Sequence, residues 1–419
     1  MERSADIRRL YRGAIISRLK EHRQTVDPRK RDLSPSILDF GPVRFVLARH
    51  FGFCFGVENA VEIAYRTLEA NPGRRIFFLS EMIHNPKVNG DLRSRGVRFL
   101  FTPSGDQLVQ WDELTRDDIV VVPAFGTTLE MEEKLAERGV DPYTYNTTCP
   151  FVEKVWKRGA QLGVHGFTVV IHGKATHEET RATFSHSARG APTVVVLDLD
   201  EAFVLAGFID GKLGSEAFDA RFGRKCSTLF DPSRDLTRIG VVNQTTMLAT
   251  ETREIARVLR EAMAARYGPE NIAEHFADTS DTLCYATNEN QNATYALIER
   301  GADLALVVGG YNSSNTSHIV ELCRDKLPTY FIQNETEILS DTRIRHFSLE
   351  KRTTLETDGW LPSKRPVEII LTCGASCPDA VLDGVLSRVH SLIPGTRELE
   401  EVLEEYLTSK TPPPPGNFT

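Results

Sequence analysis

Short runs of apolar, largely β-branched residues recur through the chain at 43–48, 76–80, 119–122, 168–171, 239–242, 304–308, 329–332 and 367–371, and they constrain the fold more than any other feature. Most lack the polar alternation of a strand with one wet face, so both faces need cover. Helix-like stretches at 57–70, 128–138, 251–266 and 291–300 lie between them. Continuous apolar strands alternating with helices predict an α/β chain with parallel sheets. Directly after these runs stand Cys54, His84, Gln244-Thr245-Thr246, the step from Asn312 to Asn315, and Gly374-Ala375-Ser376. In open parallel sheets, ligands bind beyond the carboxyl ends of the strands, so these polar residues fall where a site belongs.

With 419 residues the chain is long enough for two to four domains of ordinary size. Its 41% hydrophobic and 26% charged content is a globular balance, and no apolar run reaches the ~20 residues of a membrane span. A net charge of -8 gives no bulk attraction for nucleic acid or anionic lipid, so an anionic ligand needs local positive potential. The 7 cysteines are scattered rather than packed into a disulfide framework, which predicts a reducing, cytoplasmic setting with thiols that are free or bound to metal.

The first 33 residues are rich in arginine, but Glu2, Asp6, Glu21, Asp27 and Asp32 among them argue against an organellar transit peptide. They read as a partly helical arm. Residues 196–238 are polar and contain glycine, and read as a surface insertion. After an acidic amphipathic stretch at 396–407, the tail holds Pro412 to Pro415, which cannot continue a helix.

Cys54, Cys149 and Cys284 share one local setting, each just before a helix-like segment and each in a different part of the chain. A thiolate at a helix N-terminus gains from the positive end of the dipole. Three such thiolates could share one iron-sulfur or zinc site and leave a coordination position open for substrate. They are equally compatible with buried, inert thiols. Cys226, Cys323, Cys373 and Cys377 lack this setting; the last two flank a tight turn, where small-residue packing is the plainer reading and a fourth ligand that would close the open position is the alternative.

The segment 172–183, HGKATHEETRAT, places His177 and Glu179 just past a strand. It is not a zincin helix, because Arg181 stands where the second histidine belongs. A histidine and a carboxylate so close can divide labour, one holding an anion and the other delivering a proton; a solvated charged turn is the plainer alternative. His84 adds a second imidazole. Asn312-Ser313-Ser314-Asn315 and Ser376, beside Gly309, Gly310 and Gly374, offer neutral donors at helix starts, which can bind a diphosphate without a lysine-bearing phosphate loop.

In order along residues 43–393, GFC-x-GV at Cys54, IHNP-x-V at His84, TTCP at Cys149, HG-x-x-x-HEET at His177 and Glu179, NQTT at Thr245, CYAT at Cys284, NSSN at 312–315 and GAS-x-PD at Ser376 together resemble the 4-hydroxy-3-methylbut-2-enyl diphosphate reductase family, also called LytB. The resemblance implies an α/β fold of three similar lobes, with short, mostly parallel sheets flanked by helices, around a central iron-sulfur cluster. The implied lobes are 43–148, 149–283 with the insertion 196–238, and 284–395, preceded by the arm 1–42 and followed by a helix and proline-rich tail at 396–419. It also implies one 4Fe-4S cluster held by Cys54, Cys149 and Cys284, with one iron left open for the substrate hydroxyl. The diphosphate would be held by His84, His177, Ser313, Ser314, Asn315 and Ser376. Glu179, with Thr245 beside it and also on the substrate, would deliver the proton that lets hydroxide leave as water.

The expected reaction is the two-electron reductive dehydroxylation of (E)-4-hydroxy-3-methylbut-2-enyl diphosphate to isopentenyl and dimethylallyl diphosphate, the last step of the non-mevalonate isoprenoid pathway. The implied electron donor is ferredoxin, or flavodoxin. One departure stands out: where many members have a histidine in A-H-G, this chain has Ala124-Phe125-Gly126, the form that resembles the ferredoxin-using branch. Two other classes remain open on sequence alone. An iron-sulfur hydro-lyase would turn over without a reductant, and a non-catalytic phosphometabolite-binding protein would be colourless.

Overall fold

The computed structural model describes residues 11–277, 279 and 282–409. The acidic and basic residues before position 11 and the prolines from 412 to 415 lie outside them. The chain divides into two units, one of Met1–Glu58, His84–Lys87 and Ala286–Thr419, the other of Asn59–Ile83 and Val88–Tyr285.

The first unit is built on a five-stranded sheet in the order Ser36–Asp39, Val43–Leu47, Val367–Cys373, Leu304–Val308, Thr329–Ile332. Only the Ser36–Asp39 edge is antiparallel to its neighbour. Every residue of Leu304–Val308 is buried, as the apolar run LALVV requires of a strand covered on both faces. Ile319, Leu382, Val385 and Leu386 from the helices Ser314–Arg324 and Asp379–Leu392 join Phe45, Leu306, Phe331 and Ile370 in one core. Each such side chain stabilises the fold by about 1.5–3 kcal/mol relative to an exposed one. A separate antiparallel pair, Arg343–Ser348 with Thr353–Asp358, carries the cross-strand ion pairs Arg343–Asp358 and Arg345–Glu356.

Among the described residues the arm forms the helix Ile16–Val26. Its own sequence supplies no cap. Instead Asp383 accepts the N–H of Ile15 and of Ile16, each at 2.9 Å, and so satisfies donors that a helix start leaves without partners. Ile16 and Leu19 are buried in the core of the same unit.

The second unit holds two sheets. Arg98–Phe99, Ile76–Phe78 and Ile119–Val121 form a parallel three-stranded sheet, and Thr193–Val196, Thr168–His172, Ile239–Asn243 and Phe276–Ala277 a parallel four-stranded one. Helices Leu129–Glu137, Pro150–Val164, Glu178–Ala188 and Ala249–Tyr267 connect and cover these strands.

Two expectations need correction. The strand Val43–Leu47, assigned from sequence to the first lobe, pairs with Val367–Cys373 and lies in the sheet of the third. The stretch 196–238 is no mere surface insertion: it forms helices Leu199–Ile209 and Ser215–Phe222, which bury Leu205, Phe208, Phe218 and Phe222 against Ile239, Ile255 and Leu259. Its residues 225–227 also cover the edge of strand Thr193–Val196 through Val195 N–H to Lys225 O and Ser227 N–H to Thr193 O, both 2.8 Å. Among the described residues, no helix is long and apolar enough to cross a membrane.

Candidate functional site

In the first unit, the loops that follow strands Leu304–Val308 and Val367–Cys373 meet the segment His84–Lys87. Gly310 is needed there, because a Cβ at that position would lie 2.4 Å from His84 O. Gly374 is needed for the same reason, since its Cβ would lie 2.1 Å from Thr316 Oγ1 and 3.1 Å from the Thr316 nitrogen. This close approach brings Ser313 Oγ to 3.4 Å from Ser376 Oγ, and Ser376 Oγ donates to His84 O at 3.3 Å.

The Asn312 amide donates to His84 Nδ1 at 3.0 Å, which places the proton of a neutral ring on Nε2 and makes that nitrogen a donor. Ser313 is the N-cap of helix Ser314–Arg324, and its hydroxyl accepts from Thr316 N–H and Thr316 Oγ1. Half-buried Ser314 opens that helix. Asn315, 3% exposed, spends its Oδ1 on Ala375 N–H at 2.8 Å, while its buried Nδ2 has no acceptor among the described residues. A buried donor without an acceptor is costly unless a ligand supplies one. Hydroxyl, amide and imidazole donors at the start of a helix suit a phosphate group.

In the second unit, strand Thr168–His172 runs into the loop that carries His177, the N-cap of helix Glu178–Ala188. His177 Nδ1 accepts the Glu179 N–H at 3.2 Å, so a neutral ring again keeps its proton on Nε2. Glu179 is 1% exposed, and both carboxylate oxygens face Thr245: its N–H donates to Oε1 and its Oγ1 to Oε2 at 2.9 Å. Gln244 fixes the Thr245 turn, since its Oε1 accepts from Thr180 Oγ1 at 2.9 Å and Lys174 N–H at 3.1 Å and its Nε2 donates to Thr246 Oγ1 at 2.6 Å. A buried carboxyl group joined to a hydroxyl can hold and pass on a proton. Phe125 packs edge-on against His177 with centroids 5.7 Å apart.

Cys54 ends the turn between Val43–Leu47 and helix Phe55–Ala70, and its N–H donates to Ala375 O at 3.3 Å, beside Ser376. Cys149 is the N-cap of Pro150–Val164, and Cys284 immediately precedes Tyr285–Arg300. The loops of Cys149 and Cys284 come together, for the neighbouring Phe151 and Tyr285 rings touch edge-on at 4.9 Å. All three cysteines are only partly buried. Of the other four, Cys226 is also partly buried while Cys323, Cys373 and Cys377 are buried; burial pushes the Cys323 thiol up to about 12, and raises those of Cys377 and Cys226 as well. Cys373 is fully buried beside Cys377, so packing accounts for that pair.

Soft thiolates on helix-start loops are a donor set that fits an iron-sulfur group. Among the described residues, no three His, Cys, Asp or Glu side chains converge as one metal ion needs. A multi-iron cluster does not require this, because each thiolate binds a different iron.

Sequence reasoning missed the roles of Gln244 and of the Asn312 amide as a partner of His84. It also missed a cleft of about 930 Å³ in the second unit, lined by Arg181, Phe184, Arg189, Arg224 and Lys225 among others and by none of the candidate site residues. The residues able to bind a diphosphate or move a proton lie elsewhere.

The LytB protein family profile matches residues 45–390. A 4-hydroxy-3-methylbut-2-enyl diphosphate reductase of Synechococcus sp. (strain CC9311) is 42% identical over 356 residues, covering 85% of this chain and 87% of its own. One of Gloeobacter violaceus (strain ATCC 29082 / PCC 7421) is 41% identical over 355 residues, with 84% of each chain covered. The solved structure of the E-1-hydroxy-2-methyl-but-2-enyl-4-diphosphate reductase from Plasmodium falciparum superposes with a TM-score of 0.60 over 85% of this chain and 90% of that one; at 18% identity it shares the fold. A profile match over most of the sequence, joined to this identity over most of each relative's length, means that the chain belongs to the LytB protein family.

Proposed function

We propose that this chain is an iron-sulfur oxidoreductase that reduces (E)-4-hydroxy-3-methylbut-2-enyl diphosphate to isopentenyl and dimethylallyl diphosphate, the terminal step of the non-mevalonate pathway. The observation that carries this reading is 42% identity over 85% of the chain to a protein named for that reaction. The reaction takes up two electrons and two protons: the C–O bond breaks, one proton leaves with the hydroxyl as water, and the other joins the carbon skeleton.

In this reading Cys54, Cys149 and Cys284 would hold a 4Fe-4S cluster with one iron not ligated by protein. When bound, the cluster supplies electrons singly and a Lewis-acidic iron for the departing oxygen. His84, His177, Ser313, Ser314, Asn315 and Ser376 hold the diphosphate; the unspent Asn315 Nδ2 donor and the Nε2 protons of both histidines support this assignment. Glu179 delivers the proton that turns hydroxide into water. Thr245, which binds both carboxylate oxygens, holds that proton donor in place and touches the substrate. Electrons come from ferredoxin or flavodoxin, and a reducing cytoplasm suits thiolates that must not form disulfides.

The test is an anaerobic assay of the iron-loaded protein. Turnover is expected only with dithionite or reduced ferredoxin. Product without a reductant would assign the chain to the hydro-lyases instead, and a colourless protein that binds diphosphate would make it a binding protein.

A further inference from the structure

Helix Ile16–Val26 of the arm lies against the turn that carries Cys54. Gly52, two residues before that cysteine, has φ +76°, and a Cβ there would lie 2.6 Å from Lys20 Nζ, 3.0 Å from Asp379 Oδ1 and 3.3 Å from Cys377 O. Lys20 Nζ is 4.4 Å from the centroid of the Phe51 ring and 2.5 Å from Asp379 Oδ1. Ser17, on the same helix, donates its hydroxyl to Asp379 Oδ2 at 2.9 Å. Tyr11 reaches the other side of the turn, its ring 5.9 Å from that of Phe53. Asp379 opens helix Asp379–Leu392 directly after the turn Gly374–Cys377, whose Ala375 accepts the Cys54 N–H.

These contacts form a closed circuit. Lys20 joins Phe51 and Gly52 on one side to Asp379 on the other, and the Cys54–Ala375 hydrogen bond completes the loop. Lys20 belongs to neither turn, and its ammonium contacts Phe51 of the first and Asp379 at the start of the helix that follows the second. We infer that Lys20 is a positioning residue: through Asp379 it fixes the turn bearing Cys54 against the turn bearing Ser376. The inference rests on the reading of Cys54 as a cluster ligand. Its ammonium is anchored by an ion pair with both side chains mostly buried, at 26% and 15% exposure, and by the Phe51 ring face. Groups that orient a metal ligand typically alter metal retention about 10–100-fold when removed.

The experiment uses the full chain, reconstituted anaerobically. Lys20→Met keeps the aliphatic stem over Phe51 and removes the charge; bleaching of the cluster's visible absorbance on exposure to air is expected to speed up about 10-fold. The electron paramagnetic resonance signal of the reduced cluster is expected to change as well, while far-UV circular dichroism stays that of the parent. Lys20→Arg is expected to restore slow bleaching. If Lys20→Met folds poorly, Asp379→Asn removes the opposite charge at nearly constant shape, with the same expected result. Bleaching at the parent rate with an unaltered resonance signal in the folded variant overturns the inference. Cys54→Ser tests the underlying assignment separately: full iron content and an unchanged spectrum in that variant would remove Cys54 from the ligand set, whatever Lys20 does.

Discussion

Glu179 is held at both oxygens by one residue, so its chemistry and its geometry can be separated. Glu179→Gln retains the shape and can still accept from Thr245, but cannot deliver a proton. Its kcat is expected to fall at least about 100-fold while iron content stays at the parent level, checked by turnover and by iron and sulfide analysis of the same sample. Thr245→Val removes one of the two donors to Glu179 and should lower kcat by a smaller factor.

Another prediction concerns acid stability. Burial brings the His50 pKa down to about 4, against the opposing pull of Glu289 and Asp27 and with Arg49 and Lys30 pushing the same way as burial. Because its native pKa lies below its unfolded value of 6.5, the folded chain keeps His50 neutral where the unfolded chain takes up a proton. Stability is therefore expected to decline as pH falls from about 6.5 towards 4. Denaturant unfolding at pH 7 and pH 5 should show a smaller difference between the two for His50→Gln than for the parent. At this scale the sequence marked which residue types carry chemistry, because cysteine, histidine and glutamate after strands are conspicuous. It could not mark their partners. Lys20 and Asp379 are 359 positions apart, and no local pattern announces such a pair.

Elements were the most legible level. Each of the apolar runs read as a strand is one, because a continuous β-branched run has few other uses in a globular chain. The strands Arg343–Ser348 and Thr353–Asp358 escaped notice, since their alternating charged residues carry no apolar run and their pairing depends on cross-strand partners. Helix Leu199–Ile209 was lost inside a region judged by its polar flanks, although Phe208 lies in the core. One turn and one helix start can be tested here. Gly374→Ala drives a methyl into Thr316 and should cost about 1–3 kcal/mol of stability together with weaker diphosphate binding, seen as a lower Tm and a higher KM. Asp383→Ala strips the start of the arm helix of its acceptor and should lower stability by about 2 kcal/mol, with faster amide exchange at Ile15 and Ile16.

For the molecule as a whole, the division into units was the part hidden from a linear reading. The family resemblance implied three consecutive lobes, but the sheet of the first unit takes Val43–Leu47 from near the beginning and Val367–Cys373 from near the end. Strand pairing depends on which edges match in space, and periodicity along the chain is silent on that. Chain topology also sets a schedule for biosynthesis. The ribosome releases the Cys54 turn early, yet the strand that docks beside it emerges only after residue 366, so a nascent polypeptide carries this thiol without its final support for most of translation. Loading of iron and sulfide should accordingly be a post-translational event, and chains stalled before residue 367 should emerge from the translation machinery without metal.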